Sequence, residues 1–228
     1  MLETILLIFA HPDDEVLACG GTISKFTQNG AKVYTLILGE GITSRDERRD
    51  TKLREKEPEQ LREQAKEANK LLGVKEVFFF DFPDNRFDGV ELIEIVKAVE
   101  KIVKEIKPQI IFTHYWNDLN IDHQITYRAV ITATRPQPGM FVKEIYACEV
   151  LSSTEWNYPL SFQPDTYFLL SEGHIKNKIQ AMKCYSSEIR NYPHPRSPEG
   201  IEYLARLRGL QVGAEYAEGF KLVRRIVP

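Results

Sequence analysis

The chain has 228 residues, 43% of them hydrophobic, which suits one globular domain with a sizeable core and excludes a disordered or fibrous class. A net charge of -3 gives no electrostatic footprint for nucleic acid, and the apolar runs fall far short of the roughly 18 residues a membrane span needs. The amino terminus passes directly into an apolar segment without a basic leader, and Cys19, Cys148 and Cys184 are odd in number with no CxxC spacing, so a reduced, cytoplasmic setting is expected.

In chain order, Ile5 to Ala10 is a continuous apolar run, which predicts a strand buried on both faces of a parallel sheet. It stops at His11-Pro12-Asp13-Asp14-Glu15. A helix follows to about Asn29, ended by Gly30, and its Cys19-Gly20-Gly21 stretch leaves room for close backbone packing. Lys32 to Leu38 reads as a second strand, Gly39 to Glu57 as a charged loop, and Pro58 as the start of a helix that ends at Gly73. Val77 to Phe80 is a third strand. The helix from Glu91 to Ile106 aligns Leu92, Val96, Val99 and Val103, and Pro108 breaks it before a fourth strand at Gln109 to Thr113. A helix from His123 to about Thr134 completes a βαβαβαβα pattern, the signature of a Rossmann-like, doubly wound α/β fold: a mostly parallel sheet with helices on both faces. Beyond Arg135, Ile145 to Leu151 and Tyr167 to Leu170 read as later strands, and Glu172 to Ser187 and Ile201 to Phe220 as helices. The expectation is a single domain over 1–228, with its core in 1–135 and the remainder completing the site.

In the usual strand order 3-2-1-4, the chain reverses direction between strands 1 and 4 and opens a crevice at their carboxyl ends. His11 and Asp14 leave strand 1 and can point to one centre while Asp13, between them, points elsewhere. His114, Asn120, Asp122 and His123 leave strand 4. Two metal ligands beside a free carboxylate are what metal-assisted hydrolysis requires.

Each residue also has a plainer reading. Asp13 or Asp14 can cap the first helix, and Asp122 can cap the helix at His123 or orient a histidine. Asn120 can be a turn residue or an oxyanion donor, and Asp84 a turn former or a partner for a sugar hydroxyl. Arg45 can grip an anionic substrate group or be one charge of a solvated loop.

The His11-Pro12-Asp13-Asp14-Glu15 motif, taken with Asp118-Leu119-Asn120-Ile121-Asp122-His123, resembles the PIG-L, or LmbE-like, family of zinc-dependent sugar de-N-acetylases. Gly39 to Arg45, Asp81 to Asp88 and Ala214 to Phe220 are similar to further family segments. The resemblance implies a Zn2+ cofactor on His11, Asp14 and His123, Asp13 as the base, a small-molecule N-acetylated amino sugar as substrate, and a homo-oligomer. Asn120 stands where family members often carry a histidine, and it can donate a hydrogen bond but not a proton. His194 and His114 are the remaining imidazoles to consider; His194 is grouped with Arg45 and Asp84 as substrate-binding. The reading from another class is a non-catalytic sugar- or nucleotide-binding module, although no GxGxxG follows the first strand.

Overall fold

The structure, a computed structural model, describes residues 3–41, 57–159 and 162–227. Strand β1 (Thr4–Phe9) pairs in parallel with β2 (Lys32–Gly39) on one side and β4 (Ile110–His114) on the other. With β3 (Glu76–Phe82), β5 (Glu144–Cys148), β6 (Thr166–Leu170) and β7 (Tyr216–Arg225), they form one seven-stranded sheet in the order β3-β2-β1-β4-β5-β7-β6. The first five positions are parallel; β7 runs antiparallel to both β5 and β6.

The lack of alternation in β1 follows from its two buried faces. Ile5, Leu7 and Phe9 pack with residues of α1 (Asp14–Gln28), α2 (Glu57–Leu71) and α5 (Glu172–Cys184). Leu6 and Ile8 pack on the other face with Val96, Val99 and Val130 of α3 (Leu92–Ile106) and α4 (Ile121–Ala133). Each such side chain contributes roughly 1.5 to 3 kcal/mol on burial, so a register slip that exchanged the faces would disturb two cores at once.

The last 20 residues correct the sequence reading. Helix α6 (Pro198–Leu210) ends well before Phe220, Gly213 turns the chain at φ 71°, and Tyr216 begins a ten-residue strand. Ala214, Glu215, Ala217 and Glu218 favour a helix by local propensity, but insertion between β5 and β6 satisfies the backbone on both sides.

That strand explains the Cys19-Gly20-Gly21 stretch. Helix α1 kinks at Cys19 (φ −144°, ψ 22°), and the freed amides of Gly21 and Thr22 donate to the Glu218 carboxylate at 3.1 and 2.7 Å. Lys178 Nζ neutralises the same carboxylate from 2.6 Å. A Cβ on Gly21 would come within 2.6 Å of Leu170 Cδ1 and 3.2 Å of Glu218 Oε1, so a side chain there would have to push the Leu170 methyl aside. All three cysteines are free thiols, and no described helix is long and apolar enough to cross a membrane.

Candidate active site

Between β1 and α1 the chain makes a tight turn at the carboxyl edge of the sheet. Ala10 N–H donates to His114 Nε2 at 2.8 Å, fastening the end of β1 to the end of β4. Asp14 begins α1 and accepts from His11 N–H at 2.9 Å through Oδ2. Asp13 occupies the N-cap position but makes no side-chain cap bond. Its backbone lies at φ 104°, ψ −30°, and its Oδ2 accepts from Arg196 Nη1 at 2.7 Å. The Asp13 side chain therefore does not cap the helix.

Three ligand-type side chains converge beside this turn. His11, Asp14 and His123 each present one donor atom, all within 4.8 Å of one another, and all three residues are buried. Asp14 Oδ2 is 3.4 Å from His11 Nδ1 and 3.2 Å from His123 Nε2. On the far side of the first ring, His11 Nε2 lies 3.0 Å from Asp122 Oδ2 and 3.2 Å from Asp84 Oδ1. A proton on Nε2 directed at those carboxylates leaves the Nδ1 lone pair facing the cluster. Asp122 is fixed in turn by Phe87 N–H, which donates to Oδ1 at 2.9 Å.

His123 is held in the same way by a residue to which the sequence assigned no role. Its Nδ1 is 3.1 Å from Asp118 Oδ1, an off-axis approach that makes the contact electrostatic. Asp118 accepts from the hydroxyls of Ser153 and Thr154 and from Asn120 N–H, so three donors pin it. Burial alone would raise its carboxyl, but His123 and these hydroxyls bring it down to about 2.

The electrostatics of the cluster favour positive charge at its centre. Burial raises the Asp14 carboxyl, yet the histidines around it hold it well below the usual carboxylate range. Burial lowers His123, yet Asp14 and Asp118 lift it to about 9; His11 is likewise lifted, against burial, by Asp122 and Asp14. Two imidazoles, each braced from behind by further carboxylates, and one carboxylate form a donor set that suits a divalent cation such as zinc.

A cavity of about 240 Å³ opens over this cluster, lined by His11, Asp13, Asp14, Asp84, Asn120, His123, Glu188 and Arg196 among others. Gly41, at φ 77°, lies against Pro12, where a Cβ would meet the ring at 2.6 Å. A second hollow of about 220 Å³ near Lys104 and Arg135 lies at the opposite end of the strands and has no histidine or cysteine in its wall.

Asn120, not Asp122, caps α4: its Oδ1 accepts from Asp122 N–H, and its Nδ2 donates to Asn85 Oδ1, both at 2.8 Å. One amide N–H of Asn120 remains beyond that bond. His114 is fully buried with its Nε2 lone pair engaged by Ala10, and burial lowers its pKa, so it is a structural imidazole. His194 stands outside the cavity wall, its Nδ1 accepting from Arg196 N–H at 3.1 Å. Arg45 lies outside the described residues. Arg196, Asp118 and Glu15 were not singled out from sequence; Asp118 and Glu15 lie within the two motifs, whereas Arg196 sits in a proline-rich loop with no local signal.

Behind the turn, Glu15 is buried with Oε2 accepting from Asp13 N–H at 3.1 Å and Oε1 accepting from Asn69 Nδ2 at 2.8 Å and from the Tyr185 hydroxyl. Burial pushes its carboxyl up to about 7, against these donors, which favour the ionised form.

Residues 6–134 match the family model described as PIG-L, GlcNAc-PI de-N-acetylase. The chain belongs to the PIG-L family. A PIG-L relative in Bacillus cereus, a probable N-acetyl-alpha-D-glucosaminyl L-malate deacetylase 2, is 27% identical over 190 residues, covering 82% of this chain and 84% of its own. Among solved structures, the N,N'-diacetylchitobiose deacetylase of Pyrococcus horikoshii superposes with a TM-score of 0.77 at 20% identity, over 97% of this chain and 84% of that one. GalB, a 4-carboxy-2-hydroxymuconate hydratase from Pseudomonas putida, gives the same TM-score at 22% identity, over 100% of this chain and 98% of that one. The PIG-L architecture thus also carries a hydratase, and fold alone does not assign the reaction.

Proposed function

We propose that this PIG-L protein is a zinc-dependent hydrolase that removes the acetyl group from an N-acetylated amino sugar. The observation that carries the reading is the adjacency of two kinds of group on one turn. His11 and Asp14 join His123 in a cluster suited to a metal, and Asp13, between them in sequence, stands outside that cluster on the cavity wall.

His11, Asp14 and His123 would hold the zinc ion. When bound, zinc polarises the amide carbonyl and lowers the pKa of water from 15.7 to about 7. Asp122 and Asp84 orient the His11 ring, and Asp118 orients that of His123. Arg196 holds Asp13 Oδ2, which leaves Oδ1 to take the proton of the attacking water. The same carboxyl then returns that proton to the amine nitrogen as the C–N bond breaks, so amide and water yield amine and acetate. Asn120 contributes a neutral N–H to the developing oxyanion rather than a proton. Asp84 borders the cavity, where it is proposed to meet a sugar hydroxyl while it braces His11. Arg45 is proposed to grip an anionic group attached to the sugar. His194, outside the wall, is not given a substrate contact.

The test is acetate release by zinc-loaded protein from N,N'-diacetylchitobiose, N-acetylglucosaminyl malate and N-acetylglucosaminyl inositol. Release from any of them supports the reading. Calorimetric binding of these sugars, with no acetate released by stoichiometrically metallated protein, would favour the non-catalytic module.

A further inference from the structure

Asp13 needs support that its own side chain does not provide. A non-glycine residue at φ 104° is strained and persists only where its surroundings impose the conformation. The Asp13 carboxylate meets Arg196 on the cavity side, and its C=O accepts from the Val16 and Leu17 amides as α1 begins, which leaves its N–H as the remaining point at which the turn is held. There the Asp13 N–H donates to Glu15 Oε2 at 3.1 Å.

Glu15 is itself clamped from two further segments. Asn69 Nδ2, on α2, donates to Oε1, and the Tyr185 hydroxyl, just after α5, donates to the same oxygen. Asn69 is set in this orientation by the Thr35 hydroxyl of β2, which donates to its Oδ1 at 2.7 Å, and by its own second bond from Nδ2 to Ala65 C=O. Thr35, Glu15 and Tyr185 are completely buried and Asn69 nearly so. Glu15 has no exposed surface, so it does not reach a substrate.

A buried carboxylate is a costly way to fill space, because it gives up its hydration. What it provides, and an apolar residue of the same size does not, is an acceptor on two opposite sides. One side receives the Asp13 peptide and the other receives two donors fixed to the scaffold. We propose that Glu15 is a positioning residue that holds the Asp13 peptide at positive φ, turning the Asp13 carboxylate to the cavity while His11 and Asp14 face the metal cluster. The inference rests on the reading of Asp13 as the base, and it adds Glu15, Asn69 and Tyr185 as the framework that aims it.

The donor and acceptor pattern makes the idea testable by exchange. In Glu15→Gln the amide must place its NH2 against either the Asp13 N–H or the Asn69 NH2, a donor facing a donor. We expect zinc stoichiometry and KM to stay at wild-type values while kcat falls about 10- to 100-fold, the scale of a displaced reacting group. A crystal structure of the variant is expected to show Asp13 out of its positive φ and its contact with Arg196 broken. Adding Asn69→Asp gives up the bond to Ala65 C=O but restores the match toward residue 15, because a carboxylate accepts both from the amide introduced by Glu15→Gln and from the Thr35 hydroxyl, and the double variant should regain part of kcat. A purely structural role would lower the melting temperature and leave kcat at zinc saturation alone.

The proposal is overturned if Glu15→Gln keeps Asp13 at positive φ with kcat within about twofold of wild type, or if its kcat loss is not relieved by the exchange. Should Glu15→Gln fail to fold, Tyr185→Phe removes one donor without adding a charge, and an unchanged kcat there overturns the proposal. Should the wild type release no acetate from any sugar, the reading of Asp13 as base fails separately. Glu15 is then judged by the Asp13 backbone in the variant crystal alone.

Discussion

Arg196 reaches Asp13 across 183 residues of chain, its Nη1 2.7 Å from Asp13 Oδ2, while its Nε donates to Ser152 Oγ at 2.7 Å and Nη1 also meets Glu188 Oε2 at 3.2 Å. The guanidinium therefore ties the first turn of the sheet edge to two segments of the carboxyl-terminal half. Its planar fork sets the direction of the Asp13 carboxylate, which a point charge would not do. Arg196→Ala is expected to lower kcat about 10- to 100-fold with zinc content unchanged, and Arg196→Lys to recover little of it, because lysine cannot also serve Ser152. Steady-state kinetics alongside elemental analysis check both; full recovery by lysine would reduce the role of Arg196 to charge alone.

Asp118 should govern metal affinity without touching the metal. It faces His123 Nδ1 and is itself pinned by Ser153, Thr154 and the Asn120 amide. Removing its charge weakens the basicity and the aim of the His123 ring together. Asp118→Asn is expected to loosen zinc by about 10- to 100-fold, as measured by competition with a chromogenic chelator. An unchanged dissociation constant would show that helix α4 alone places His123.

Chelation tests the cluster as a whole. Metal removed from the wild type should abolish acetate release and leave the far-ultraviolet circular dichroism intact, since both cores lie beneath the sheet edge and close without the site. Restoring zinc should restore turnover. His11→Ala, Asp14→Ala and His123→Ala should each stay folded and fail to retain zinc on elemental analysis; retained zinc in all three would remove this cluster as the metal site.

The parts of this molecule that could be read in one dimension are those set by local chemistry. The run from Ile5 to Ala10 announces a strand covered on both faces, and the polar break at His11 marks its carboxyl end. The strand order around β1 followed from the alternation of strands and helices. Strand β7 was hidden because Ala214 to Glu218 carry helical propensity and the strand's partners lie far away in sequence, Leu170 opposite Tyr216 and Cys148 opposite Phe220. Arg196 was hidden for a related reason, as no periodicity links residue 196 to residue 13. Asn120 reads in sequence as an oxyanion donor or a turn residue; its cap bond to Asp122 N–H depends on where α4 begins, two residues earlier than His123 suggests.

The Glu218 carboxylate separates stability from activity. It caps the second half of α1 across the Cys19 kink and pairs with buried Lys178, at a distance from the cavity wall. Glu218→Ala leaves Lys178 and two amides without their partner, and the expected cost is about 3 to 5 kcal/mol of unfolding free energy, read from denaturant melts. The fraction that remains folded should turn over substrate normally. A loss of kcat at full folding would instead mean that the kink transmits its geometry to Asp14.

Asp13 carries the distinction between a metal-binding protein and a catalyst. It sits at the N-cap yet caps nothing, it keeps a backbone conformation that costs energy, and it faces the cavity between two residues that face the metal cluster. The change Asp13→Asn retains the shape and leaves a carbonyl oxygen to accept from Arg196, but an amide cannot take a proton from water. Asp13→Asn should therefore keep zinc, fold and melting temperature while slowing deacetylation by about 10² to 10⁴, the usual contribution of a positioned general base. Because Arg196→Ala disturbs aim and Asp13→Asn removes basicity, the two changes act on one step, and combining them should cost little more than Asp13→Asn alone. Near-normal turnover of Asp13→Asn at full zinc occupancy would move the search for the base to Glu188, the other cavity carboxylate that Arg196 touches.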